Sequence, residues 1–219
     1  MKSEPTSFLY PFIDSEETDT SALVADLSAS ARSKMAQSRE LRARTLESLG
    51  PAVDLAAGEM AVRFSSGGRL FAFGNGGSAT DAESAVQLFR EPSVGVPLPA
   101  ISLVGDRAVL TALANDVGFE VVFSRQIIAH ARPVDVAMGF STSGDSKNVI
   151  KALKEASGRG LLTVGFSGYE GGEMGQSPYV SHSFVVGSQS VHRIQEAQSA
   201  LLLGLHEAVQ RALGEGRTA

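Results

Sequence analysis

The chain has 219 residues, 43% of them apolar, and a formal net charge of −5 with no basic run and no cysteine. That length fits one domain with an appended arm. The acidic balance argues against a nucleic-acid surface, and the lack of cysteine excludes disulfides, thiolate metal sites and a cysteine nucleophile. No apolar run reaches the length of a membrane span and no signal-peptide core opens the chain, so a soluble, cytoplasmic protein with no membrane partner is expected.

Residues 1–20 read as an arm, broken by Pro5 and Pro11. Its patch Phe8-Leu9-Tyr10-Pro11-Phe12-Ile13 is expected to dock on a neighbour, because clustered aromatics are costly to leave in water. From Ser21 to Leu49 apolar residues recur at helical spacing; Gly50-Pro51 is expected to end that helix, and a second follows over Ala52 to Phe64. A first helix of this length is expected to pack against another subunit.

Leu70 to Phe73 is a short apolar run with two aromatics, a buried-strand pattern. It ends in Gly74-Asn75-Gly76-Gly77-Ser78, and a helix begins at Ser78, with Ser78 or Thr80 as its cap. Strand, glycine turn and helix N-terminus make an anion site, with backbone N–H groups and the positive helix end facing one point. The turn is neither a Walker loop nor a GxGxxG fingerprint.

A loop from Glu91 to Leu98, a strand from Pro99 to Val104 and a helix from Ala108 to Ala114 come next. Asn115-Asp116 closes that helix, and another is expected over Phe119 to Ala131. The strand Val134–Phe140 runs into Ser141-Thr142-Ser143-Gly144-Asp145-Ser146, four hydroxyls around one glycine, ahead of a helix to Ala156. Hydroxyls plus helix N-terminal amides suit a phosphate without a formal positive charge. A strand over Leu161–Phe166, a turn at Gly168–Gly172, a strand over Tyr179–Val186 and a helix over Gln189–Leu213 complete the series, with residues 214–219 fraying. Alternating β and α elements with near-continuous apolar strands predict a three-layer α/β fold, a doubly wound parallel sheet covered on both faces. Ligands in such sheets collect at the carboxyl ends of the strands.

Four motifs now stand in order: Gly74-Asn75-Gly76-Gly77-Ser78 with Asp81-Ala82; Ala114-Asn115-Asp116-Val117-Gly118-Phe119; Ser141 to Ile150; and Arg193-Ile194-Gln195-Glu196. Together they resemble the sugar isomerase (SIS) domain, specifically its phosphoheptose isomerase group, from about residue 21 to about residue 212. The resemblance implies a single domain over residues 21–213 and N-terminal helices that build a homotetramer. It also implies a phosphorylated sugar bound by Asn75, Gly76, Gly77, Ser78, Asp116, Ser141, Thr142, Ser143, Ser146 and Gln195. In that group a His and a Glu on the helix after the glycine turn, with a Gln and a His on the last helix, hold zinc and handle protons. In register, those positions here are Ser84, Leu88, Gln195 and Leu203. Serine is a poor zinc ligand and leucine is none. No metal cofactor is therefore expected, and the expected function is phosphosugar binding or regulation. The alternative is an active ketose/aldose isomerase using rearranged residues, with Glu83 and His206 as its candidate catalytic groups. The pair His192 and Glu196 reads as a solvent-facing i, i+4 pair. The sequence also resembles the bacterial replication-initiator-associating protein, an isomerase-like binding partner, which leaves room for a protein partner.

Overall fold

The computed structural model describes residues 20–215; the aromatic patch of the N-terminal arm lies outside them. Chain contacts separate two units, Met1–Glu40 and Leu41–Ala219. The described part of the first is the N-terminal portion of helix α1 (Thr20–Ser65), which leaves Leu23, Val24, Leu27 and Met35 exposed.

The second unit is a five-stranded, fully parallel sheet between helices. Its strands are β1 (Leu70–Gly74), β2 (Ala100–Ser102), β3 (Val136–Ser141), β4 (Leu162–Gly168) and β5 (His182–Val186), in the order β2-β1-β3-β4-β5. The helices are α2 (Gly77–Arg90), α3 (Arg107–Asp116), α4 (Val122–His130), α5 (Lys147–Gly158), the single turn α6 (Gly172–Gly175) and α7 (Val191–Glu215).

Period-2 alternation along each strand sends successive side chains to opposite faces. Leu70 and Ala72 join Met138, Val164 and Phe184 on one face, where the C-terminal part of α1 (Val53, Ala57, Met60), α2 (Ala85, Phe89) and α7 (Leu201, Leu205) cover them. Phe71, Phe73 and Ala137 point the other way, onto Phe123 and Ile127 of α4 and Val149 and Leu153 of α5. Two separate cores on one sheet are the expected doubly wound, three-layer arrangement.

Four local expectations need correction. The helix after the glycine turn starts at Gly77 with Gly76 at its N-cap, and no side chain caps it, so neither Ser78 nor Thr80 has that role. Gly50-Pro51 does not break the first helix: α1 runs unbroken through Pro51. The Glu47 carbonyl that loses its donor at Pro51 lies on an exposed turn open to water, while Val53, Ala56 and Met60 hold the following turns on the core. The helix expected from Phe119 begins as a 3-10 turn, Phe119–Val121, before α4. The turn expected at Gly168–Gly172 passes from the end of β4 into α6. Among the described residues no helix is long and apolar enough to cross a membrane.

Candidate functional site

The chain leaves β1 toward β2 on one side and returns for β3 on the other, so the carboxyl ends of β1 and β3 flank a topological switch point. Gly74 and Phe140 are register partners there, which sets the glycine turn beside the hydroxyl loop. Two side-chain contacts tie the loops together. Asn75 and Asn148 exchange a reciprocal pair of amide hydrogen bonds, 2.8 and 2.9 Å. The hydroxyls of Ser78 and Thr142 stand 3.4 Å apart.

Within the second loop, the Ser141 hydroxyl donates to Ser146 Oγ at 2.9 Å and accepts from the Ser146 N–H at 3.4 Å. Ser143 Oγ accepts from the Asp145 N–H. Gly144 turns at φ 75°, and Asp145 Oδ1 takes the Glu173 N–H of α6, so the α6 turn braces the loop from behind. Ser146 then stands at the N-cap of α5; the Val149 N–H of the first turn donates to Asn148 Oδ1 at 3.0 Å, while those of Lys147 and Asn148 have no carbonyl partner inside the helix. The glycine turn differs: Ser78 and Ala79 already donate their N–H groups to the carbonyls of Asn75 and Gly76, 3.0 Å each. Its contribution to an anion cradle is thus the Ser78 hydroxyl and the α2 end dipole.

Beside these loops α2 and α7 enclose a cavity of about 290 Å³. Asp81, Ser84 and Leu88 reach it from α2; Gln198, Ser199 and Leu202 reach it from α7; Phe140 closes it from β3. Gln195, one turn before Ser199, donates to Asp81 Oδ2 at 3.4 Å. Burial pushes the Asp81 carboxyl up to about 6, against the opposing pull of the Gln195 amide.

The structure thus brings together Asn75, Gly76, Gly77, Ser78, Ser141, Thr142, Ser143, Ser146 and Gln195. Asp116 lies at the exposed end of α3, accepting from the Asn115 amide. Glu83 is exposed on α2, away from the Asp81–Ser84–Leu88 face. His206 is buried instead against Phe89, edge to face at 5.1 Å, with its Nε2 3.2 Å from Gln210 Nε2; it does not line the cavity. Leu203 is half-exposed, and its neighbour Leu202 lines the cavity.

Sequence reasoning did not single out Asp81 or Gln198 as site residues. Asp81 had a signal, since Asp81, Ser84 and Leu88 stand at i, i+3, i+7 on one helix face; Gln198 falls outside the matching set Gln195, Ser199 and Leu202 and had none.

Comparison with known proteins agrees with this fold. The SIS domain family matches residues 35–168. The phosphoheptose isomerase of Aquifex aeolicus (strain VF5) is 40% identical over 181 residues, covering 82% of this chain and 94% of its own. That of Roseiflexus sp. (strain RS-1) is 40% identical over 180 residues, covering 80% and 89%. The solved phosphoheptose isomerase GmhA of Neisseria gonorrhoeae superposes with a TM-score of 0.78 at 31% identity, covering 84% of this chain and 99% of that one.

Proposed function

Because the chain belongs to the SIS domain family, in its phosphoheptose isomerase-like group, we propose that it binds a phosphorylated sugar without the group's zinc route and serves as a binding or regulatory protein. The phosphate sits on Ser78, Thr142, Ser143 and the N-terminus of α5, and the carbon chain extends toward the cavity between α2 and α7. The observation that carries this reading is the pair of loops held together by Asn75–Asn148 and Ser78–Thr142 at the switch point of the sheet.

The chemistry of the donor set supports the second half of the proposal. Where the resemblance implies a His and a Glu, the cavity has the Ser84 hydroxyl and the Leu88 hydrocarbon. One part-buried carboxyl and neutral amides do not fit zinc, which takes imidazole, thiolate or several carboxylates. No step is therefore assigned to a metal. The homotetramer, with α1 packing between subunits, is part of the same proposal, and so is a cytoplasmic location.

One observation favours the alternative, an active ketose/aldose isomerase. Asp81 is the single carboxyl lining the cavity, and its value of about 6 lies near that of a general base working at neutral pH. The experiment joins a thermal-shift titration to a coupled turnover assay, both with sedoheptulose 7-phosphate. Stabilisation without turnover, lost in Ser143→Ala, is the expected result. Turnover that resists a chelator and disappears in Asp81→Asn would establish the alternative. No stabilisation by any phosphosugar would refute both.

A further inference from the structure

We infer that Lys147 is a movable counter-ion for the phosphate of the ligand, held off the hydroxyl loop by Glu120 until the phosphate arrives. The inference rests on the phosphosugar reading and adds to it a binding residue and a charge switch.

Lys147 is the first residue of α5 and directly follows the N-cap, Ser146. A helical side chain leans back over the turn N-terminal to its own Cα. For Lys147 that turn is the hydroxyl loop. Its side chain is 77% exposed and its stem is long and flexible, so the ammonium can sweep across the rim of the loop. The position is electrostatically wrong for a bare helix. A cation in the first turn opposes the positive end of the helix dipole, and an anion bound at that end removes the conflict. The two loops, 74–78 and 141–146, carry one carboxylate, Asp145, and no Lys, Arg or His. The loops themselves therefore bring no positive side chain to a phosphate, and the nearest one along the chain is Lys147.

Glu120, on the 3-10 turn before α4, holds this ammonium loosely. Lys151 donates a direct hydrogen bond to Glu120 Oε2, whereas Lys147 Nζ stands 3.7 Å from Oε1. The Lys151 bond is the main reason that the Glu120 carboxyl sits below its ordinary range, and Lys147 adds less. Two cations thus share one anion, and Lys147 is the surplus one. Lys147 and Lys151 also stand at i, i+4, where like charges repel. Lys147 and Glu120 are both open to water, and a pair in that setting is weak. Turning from Glu120 to a phosphate costs Lys147 little, because Lys151 stays behind on Glu120. A phosphate monoester at neutral pH is close to doubly charged and offers the ammonium a stronger partner at the helix end. A ligand shifts such an arrangement only by interacting better with one state than with the other, and the phosphate meets that condition.

The test is calorimetric titration of the full chain with inorganic phosphate and with sedoheptulose 7-phosphate, repeated with Lys147→Gln, Lys151→Gln and Glu120→Gln. All three side chains are exposed, and a thermal melt without ligand checks that each variant folds as the wild type does. Lys147→Gln is expected to weaken both ligands by about tenfold. Lys151→Gln should stay within about threefold of the wild type, and Glu120→Gln should bind as tightly as the wild type or up to about threefold more tightly. A Lys147→Gln chain with wild-type affinity overturns the inference. So does a Lys151→Gln chain weakened as much as Lys147→Gln, because a diffuse surface field would then be responsible. A Glu120→Gln chain weakened as much as Lys147→Gln overturns it too, since Glu120 would then serve the site instead of withholding Lys147. In each of these cases the wild type still binds its ligands and the phosphosugar reading survives. A wild-type chain that binds neither inorganic phosphate nor sedoheptulose 7-phosphate refutes that reading, and this inference with it.

Discussion

The side-chain amide of Gln195 fills the space that a side chain at position 77 would need. A Cβ built on Gly77 would stand 2.3 Å from Gln195 Nε2, the atom that donates to Asp81. The contact is with the free end of a flexible side chain, so Gly77→Ala is expected to fold with a stability change below about 1 kcal/mol. What it should change is the Asp81 carboxyl. Without the Gln195 bond, which pulls its value down, Asp81 should titrate above about 6. Carbonyl NMR titration of Asp81 in the two proteins measures this, and an unmoved titration would show that Gln195 does not govern the carboxyl.

Asp81 also sets a pH dependence of stability. Its folded value of about 6 stands above the ordinary 3.8 because burial penalises the carboxylate. The protonated form is favoured in the fold, so its contribution is complete below about 3.8 and is lost as pH rises through about 6. Asp81→Asn should be more stable than wild type at pH 7–8, by about 1 kcal/mol once solvent screening of this part-exposed group is allowed for. The gain should vanish near pH 4. Denaturant midpoints at the two pH values provide the comparison.

His206 acts with the opposite sign. Gln210 donates from Nε2 to the Val96 carbonyl and accepts the Val96 N–H on Oε1, 2.9 Å each, which fixes its orientation. The Gln210 Nε2 facing His206 is therefore a donor, and His206 Nε2 must be the unprotonated acceptor. Burial lowers the His206 value, with Glu207 opposing. Stability contributed by the neutral ring is complete above about 6.5 and lost as pH falls. His206→Phe should flatten the acid limb of the stability profile, and the hydrogen-exchange protection of Val96 should fall at acid pH only in the wild type.

Gly144 is the inverse of Gly77. A Cβ there would meet the Gly171 carbonyl oxygen at 1.9 Å, backbone against backbone, at φ +75°. Nothing flexible can give way, so Gly144→Ala should cost more than about 2 kcal/mol and abolish phosphate binding. A thermal melt with and without phosphate tests both halves.

The Asn75–Asn148 exchange joins the two loops across the sheet. Asn148 is buried, so Asn75→Ala leaves its amide donor unpaired and should cost about 1–3 kcal/mol. The double variant with Asn148→Ala should cost less than the sum of the single ones, which a double-mutant cycle measures.

The middle of the sheet was legible in the sequence because β1, β3 and β4 are buried along their whole length and read as near-continuous apolar runs leading into glycine-bearing loops. The two loops were legible for the same reason: each follows such a run. Pro51 misled, since the rule that proline ends a helix weighs local geometry alone, whereas the packing of Val53, Ala56 and Met60 decides the outcome. The pairing of Asp81 with Gln195 spans 114 positions and has no local signature. Gln198 stood out only once its amide was seen bound on one side and bare on the other. His206 lies on the same helix as Gln195, but the turn of α7 carries it to Phe89 and the loop before β2.

The register of Gly74 with Phe140 and the reach of Gln195 back to Asp81 give the site a kinetic character. Neither the cleft between the loops nor the cavity beside it exists until β3 has docked on β1 and α7 has closed over α2. Such long-range parallel pairings form slowly, after their loop-closure entropy has been met. A ligand of this site can therefore recognise only chains that have nearly finished folding. Bound ligand should slow unfolding while leaving the folding rate almost unchanged, so it would lengthen the life of the finished protein without hastening its arrival.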